Sequence, residues 1–169
     1  MGEIYGIACP FYQPGDPGTE YEMTADRWRA YGDESLVERF APTAFDRTLQ
    51  RRDVRCDLFH NNEVRVGYTS EGSVKLSVDR VGLRYVIDLS RCQSPYQIRE
   101  LLALRSLRGA SVSFYSRSSR QFVENGRRIL EHLVIDLDSF ALVRHPAYLA
   151  TTVEIRGGRP FEMIEGEQI

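Results

Sequence analysis

Apolar and polar positions alternate in three consecutive segments, residues 64–68, 74–78 and 83–89, with Gly72 and Gly82 at the breaks between them. A period of two sends one face to a core and the other to water, so these segments predict half-buried antiparallel strands. Shorter apolar runs at 4–8, 36–40 and 54–59 read as further strands, the last closing at His60 with Asn61-Asn62 as its turn signal. The clearest helix begins at Ser94, a suitable N-cap, with Pro95 in the first turn. Ile98, Leu101, Leu102 and Arg105 recur at its 3–4 spacing, and Gly109 stops it. A second helix starts near Pro42 and carries Ala44, Phe45, Thr48 and Leu49 on one side.

Ser113 lies in the strand-like run 110–115, and Asn125-Gly126 predicts a two-residue hairpin joining 121–124 to 127–130 and onward to 137. Residues 140–143 and 150–155 read as strands, and the Pro- and Gly-rich stretch 10–18 as a loop. The segment 24–32, around Trp28, shows no clear period. These elements predict an α+β fold with a mainly antiparallel, barrel-like core and two or three helices. The domain is expected over residues 1–155, with 156–169 as a flexible tail.

Length, charge and cysteines narrow the picture. A chain of 169 residues suits one domain with a real core. A formal net charge of −2 gives no reason to expect nucleic acid or a membrane as partner. Lys75 is the sole lysine, a compositional bias to which little function attaches. Cys9, Cys56 and Cys92 are odd in number and widely spaced, which is not a disulfide framework and points to a reducing compartment. The N-terminus lacks a basic region, and no apolar run suits a signal peptide or membrane span, so a soluble intracellular protein is expected.

His60 and Ser113 stand out because they fall on separate strands with two strands and a helix between them. A nucleophile and its base are neighbours in space more often than in sequence, and a His–Ser pair so placed suits acyl transfer. Ser111, two residues away, is the rival nucleophile. Cys56 and His60 are four apart, about 13 Å along an extended strand, so they do not form a metal pair. No metal or cofactor is expected. The chain lacks a Gly-x-Ser-x-Gly elbow, which weighs against a small-substrate esterase.

The order of motifs resembles the capsid-maturation (prohead) proteases of tailed bacteriophages. Glu38 to Asp46 is similar to that family's Phe-x-Pro-Gly-Ala-Phe opening, with Thr43 in place of Gly. The stretch from Val54 to Gly67 resembles the segment holding the family's catalytic His, and a gapless count puts His60 there, with Asn61 for the usual Asp. Leu76 to Leu83 resembles the hairpin before the long helix. Arg108-Gly109 and Val112-Ser113-Phe114 resemble the nucleophile segment, shortened by two residues, and Val143 to Tyr148 the closing Pro-Ala motif. The resemblance covers about Gly6 to Val153.

What the resemblance implies is a serine endopeptidase with Ser113 as nucleophile and His60 as general base. The family's third member, a Glu, is absent. Counting back from Pro146 gives Ser139; allowing a one-residue bulge gives Asp138, the preferred reading because an acid accepts the imidazole N–H. Asp136 is the fallback. His145 is a further candidate, since the distantly similar herpesvirus assemblins use a second His. Oxyanion donors are sought in residues 116–120. The arginines between Arg105 and Arg120 read as solvated, with an acidic scaffold peptide as their functional alternative.

Further expectations follow from the family. The substrates are phage scaffold and major capsid precursor proteins, and the enzyme itself. The protein acts as a homo-oligomer packaged in the immature capsid in the bacterial cytoplasm. The alternative is a catalytically silent homologue serving as a structural or scaffold-binding module.

Overall fold

The computed structural model describes residues 2–23 and 36–157; the segment around Trp28 and most of the expected tail lie outside them. Two sheets enclose the core. Sheet 1 has the order β10-β1-β7-β6, all antiparallel, from β1 (Glu3–Pro10), β6 (Val74–Val78), β7 (Gly82–Asp88) and β10 (Glu154–Arg156). The apolar run predicted at 4–8 forms β1, where Ile4 is fully buried between partly exposed Glu3 and Tyr5.

Sheet 2 is built around one long strand, β9 (Arg127–Val143). Antiparallel β8 (Gly109–Glu124) covers one edge of β9 from end to end. The other edge is shared by two parallel strands: β3 (Leu36–Phe40) lies against Arg128 to His132, and β4 (Arg55–Leu58) against Ser139 to Leu142. Short β2 (Tyr21–Glu22) pairs with β3, and β5 (Asn61–Tyr68) with β4. The two sheets stay separate rather than closing into the expected barrel-like core, and sheet 2, though mainly antiparallel, includes two parallel pairings. The cause is the route from β3 to β4, which runs through helix α1 (Asp46–Arg51) and so returns the chain in the same direction.

Helix α1 also fills the gap that β3 and β4 leave on β9. Ile135 N donates to Ala44 O at 2.9 Å. Thr48 Oγ1 accepts from Leu137 N at 3.0 Å and donates to Ile135 O at 3.2 Å. One buried hydroxyl thus replaces a missing stretch of strand backbone. Between the sheets Phe40 contacts Phe45, Phe45 contacts Phe11, and Tyr85 contacts Phe140. Ile98 anchors α2 (Pro95–Ala103) in the core; Ser94 occupies its cap position at φ 56° without a side-chain cap bond.

Two turns position the strands. Asn125 (φ 50°) and Gly126 (φ 75°) make the predicted hairpin tip. At the other end of β8, Gly109 passes so close to the closing motif that a Cβ would lie 2.7 Å from Pro146 Cγ and 2.4 Å from Thr151 Oγ1.

Candidate active site

Cross-strand partners point to the same side of a sheet, so register sorts the residues by face. On the outer face of sheet 2, Ser113 of β8 stands opposite Ser139 of β9, which is flanked by Arg55 of β4. The next outward rung holds Ser111, Ala141 and Asp57. Between these rungs Phe140 and Cys56 point into the core. The register skips Asp138: Ser113 pairs with Ser139, and Phe114 with Leu137. Leu137 and Phe140 are both core residues, so this β-bulge turns Asp138 outward beside Ser139. Arg55 Nε donates to Asp57 Oδ1 and Oδ2 at 2.9 and 3.0 Å. That hydrogen bond raises the Arg55 pKa, the charges of Asp57 and Asp138 add to it, and burial opposes.

His60 lies beyond this ladder. The turn between β4 and β5 is Phe59-His60 rather than the predicted Asn61-Asn62, and Leu58 pairs directly with Asn61. Both turn residues are left-handed, at φ 54° and 58°, the backbone sense that two-residue hairpins normally give to Asn-Gly. Each such non-glycine residue costs on the order of 1–3 kcal/mol. His60 is exposed.

The rung of Ser111 is level with Asp57, one residue before Leu58; that of Ser113 is level with Arg55, about 7 Å farther from the turn. His145, also exposed, follows the end of β9 at the same end of the sheet, where Phe59 N donates to Leu142 O at 3.0 Å. His60, His145 and Ser111 therefore collect at one sheet end, with Ser113 and Asp138 one rung inward. Asp136 is different. It is engaged by Arg117, by Arg47 at 2.9 Å and by Arg52 at 3.7 Å. The Arg117 hydrogen bond lowers its pKa, the charges of the three arginines add, and burial opposes.

A second polar constellation occupies the inner face, and sequence reasoning missed it. Ser116 Oγ lies 2.9 Å from His132 Nδ1, and His132 Nε2 lies 3.0 Å from Glu38 Oε2. Tyr148 OH donates to the other carboxylate oxygen, Glu38 Oε1, at 2.7 Å. His132 and Glu38 are buried, at 2% and 4% exposure, beneath Phe40 and Phe114, whereas Ser116 is at the surface. Two successive register shifts, at Ser116/Ser118 and Ser118/Ser119, bend β8 so that Ser116 reaches a histidine it does not pair with. Glu38 meets His132 only because β3 lies parallel to β9. Glu38 and Phe40, two apart on β3, share one face, and the parallel pairing that brings that face to His132 is not local to the sequence.

The thiols are no rival nucleophiles. Burial pushes Cys9 and Cys56 well above the usual thiol range, and Cys92 is pushed up to about 11. Among the described residues no three His, Cys, Asp or Glu side chains group as a metal would need. Among them, too, no helix is long and apolar enough to cross a membrane. Residues 19–163 match the sequence model of a family described as caudovirus prohead serine protease. No curated protein matches the chain.

Proposed function

This chain belongs to the caudovirus prohead serine protease family, and from that premise we propose that it is the endopeptidase that cleaves scaffold and major capsid precursor proteins, and itself, during capsid maturation. His60 is the general base. It takes the hydroxyl proton as the serine attacks the scissile carbonyl and returns it to the leaving amine. The nucleophile is Ser113 or Ser111, of which the register favours Ser111 by its nearness to the His60 turn. Asp138, turned onto the same face by its bulge, is the proposed third member, with His145 the alternative at the sheet end.

The observation that carries this reading is the strained Phe59-His60 turn at the same sheet end as the serine-bearing strand. Strained backbone of this kind clusters at active sites. The work is confined to the shell interior in the host cytoplasm, where high local concentration offsets weak binding. A homo-oligomer and a domain over residues 1–155 complete the proposal.

The test is cleavage of a co-expressed capsid precursor, followed by intact mass. Wild type yields the shortened precursor, and His60→Ala does not. Of Ser111→Ala and Ser113→Ala, the one that abolishes cleavage identifies the nucleophile. Undiminished cleavage by folded His60→Ala, or by both serine variants, overturns the assignment; no cleavage by wild type points to a silent module.

A further inference from the structure

We propose that Ser116, His132 and Glu38 form a second nucleophilic centre, in which Ser116 is a base-activated serine that attacks carboxylic esters and amides. It stands on the inner side of β8, opposite to Ser111 and Ser113, and does not depend on which of those two attacks.

The hydrogen-bond polarity carries the argument. Glu38 presents two carboxylate oxygens, both of which accept: Oε1 from Tyr148 OH and Oε2 from His132 Nε2–H. That partner fixes the proton of the imidazole on Nε2. Nδ1 is then the lone-pair nitrogen, and the Ser116 hydroxyl donates to it at 2.9 Å. A serine donating to an imidazole whose far nitrogen is held by a carboxylate is the arrangement that makes a hydroxyl nucleophilic.

Burial is apportioned to suit. The base and acid are enclosed by Phe40, Phe114 and Tyr148, where an ion pair formed in the transition state is poorly screened, while Ser116 stays reachable. Tyr148 occupies the carboxylate oxygen that His132 does not use, which prevents Glu38 from rotating away.

In the step, the Ser116 Oγ–H proton passes to His132 Nδ1 as the Oγ–C bond forms. His132 returns it to the leaving oxygen or nitrogen as that bond breaks, and water releases the acyl group by the same relay. With a fluorophosphonate, Oγ–P forms and fluoride leaves.

The experiment is intact-mass labelling of the full chain with a small alkyl fluorophosphonate. The Ser111→Ala/Ser113→Ala double variant is expected to take one adduct, lost when Ser116→Ala is added. Glu38→Gln, in the double-variant background, is expected to slow labelling roughly 10²–10⁴-fold while near-ultraviolet circular dichroism stays native. A folded double variant that takes no adduct, or a triple variant that still takes one, overturns the proposal. Failure of the outer-face assignment reads out separately, as precursor cleavage by the double variant; if that cleavage then requires Ser116, the inner centre is the endopeptidase.

Discussion

Strand β8 carries polar residues on both of its faces, and the two faces are built on opposite terms. Outside, His60, the Ser111 and Ser113 pair and Asp138 sit on a strained turn, a surface strand and a bulge, and their ordering follows the family motifs. Inside, Ser116, His132 and Glu38 are joined by short hydrogen bonds within a packed aromatic shell, and no family motif marks them as a unit. The outer set is defined by chain order, the inner one by closed hydrogen bonding.

The largest expected contrast is between the histidines. His60→Ala should lower precursor cleavage about 10³-fold or more, with a stability loss well below that of His132→Ala because the side chain is exposed. His132→Ala should instead cost about 3–5 kcal/mol in urea unfolding, since it leaves a buried carboxylate without its nitrogen partner. Equal effects of the two on stability would erase the distinction.

Next comes the support both faces share. Thr48→Val keeps the volume but strips Ile135 O and Leu137 N of their partner, and should cost about 1–3 kcal/mol in the same assay. A neutral result would mean that α1 holds β9 by packing alone. Smaller, and opposite in sign, is Phe59→Asn/His60→Gly. It relieves two left-handed residues and should raise stability by about 1 kcal/mol while abolishing cleavage.

The smallest effect concerns acid. Asp136 has a folded pKa below its unfolded value, so its contribution is present above the ordinary carboxylate range near pH 4 and is lost as pH falls through the folded value. Asp136→Asn should therefore flatten the acid limb of a stability–pH curve and leave the neutral region parallel to wild type.

Local chemistry made much of this legible. The alternation in 74–78 and the Asn125-Gly126 tip are read from neighbours in the chain, and they fall where expected. Asp138 required a bulge, and the core positions of Leu137 and Phe140 show one. What escaped was non-local. Nothing in residues 36–40 says that they will lie parallel to 128–132, so Glu38 and His132 could not be joined on paper. At the β4–β5 turn the strong Asn-Asn signal lost to the pairing of Leu58 with Asn61, which left Phe59 and His60 to make the reversal. Pairing of β3 and β4 to a common edge likewise brought two parallel pairings into sheet 2.

That shared edge has a kinetic consequence. The β8–β9 hairpin is local at its tip, where Glu124 meets Arg127, and zips outward to Gly109 and Val143. Parallel docking of β3 onto it closes a much longer loop and is the slow, late event. Glu38 arrives only with β3, so a partly folded chain whose β8–β9 hairpin has formed holds Ser116 and His132 without their acid, and the inner relay is completed by one of the last steps of folding.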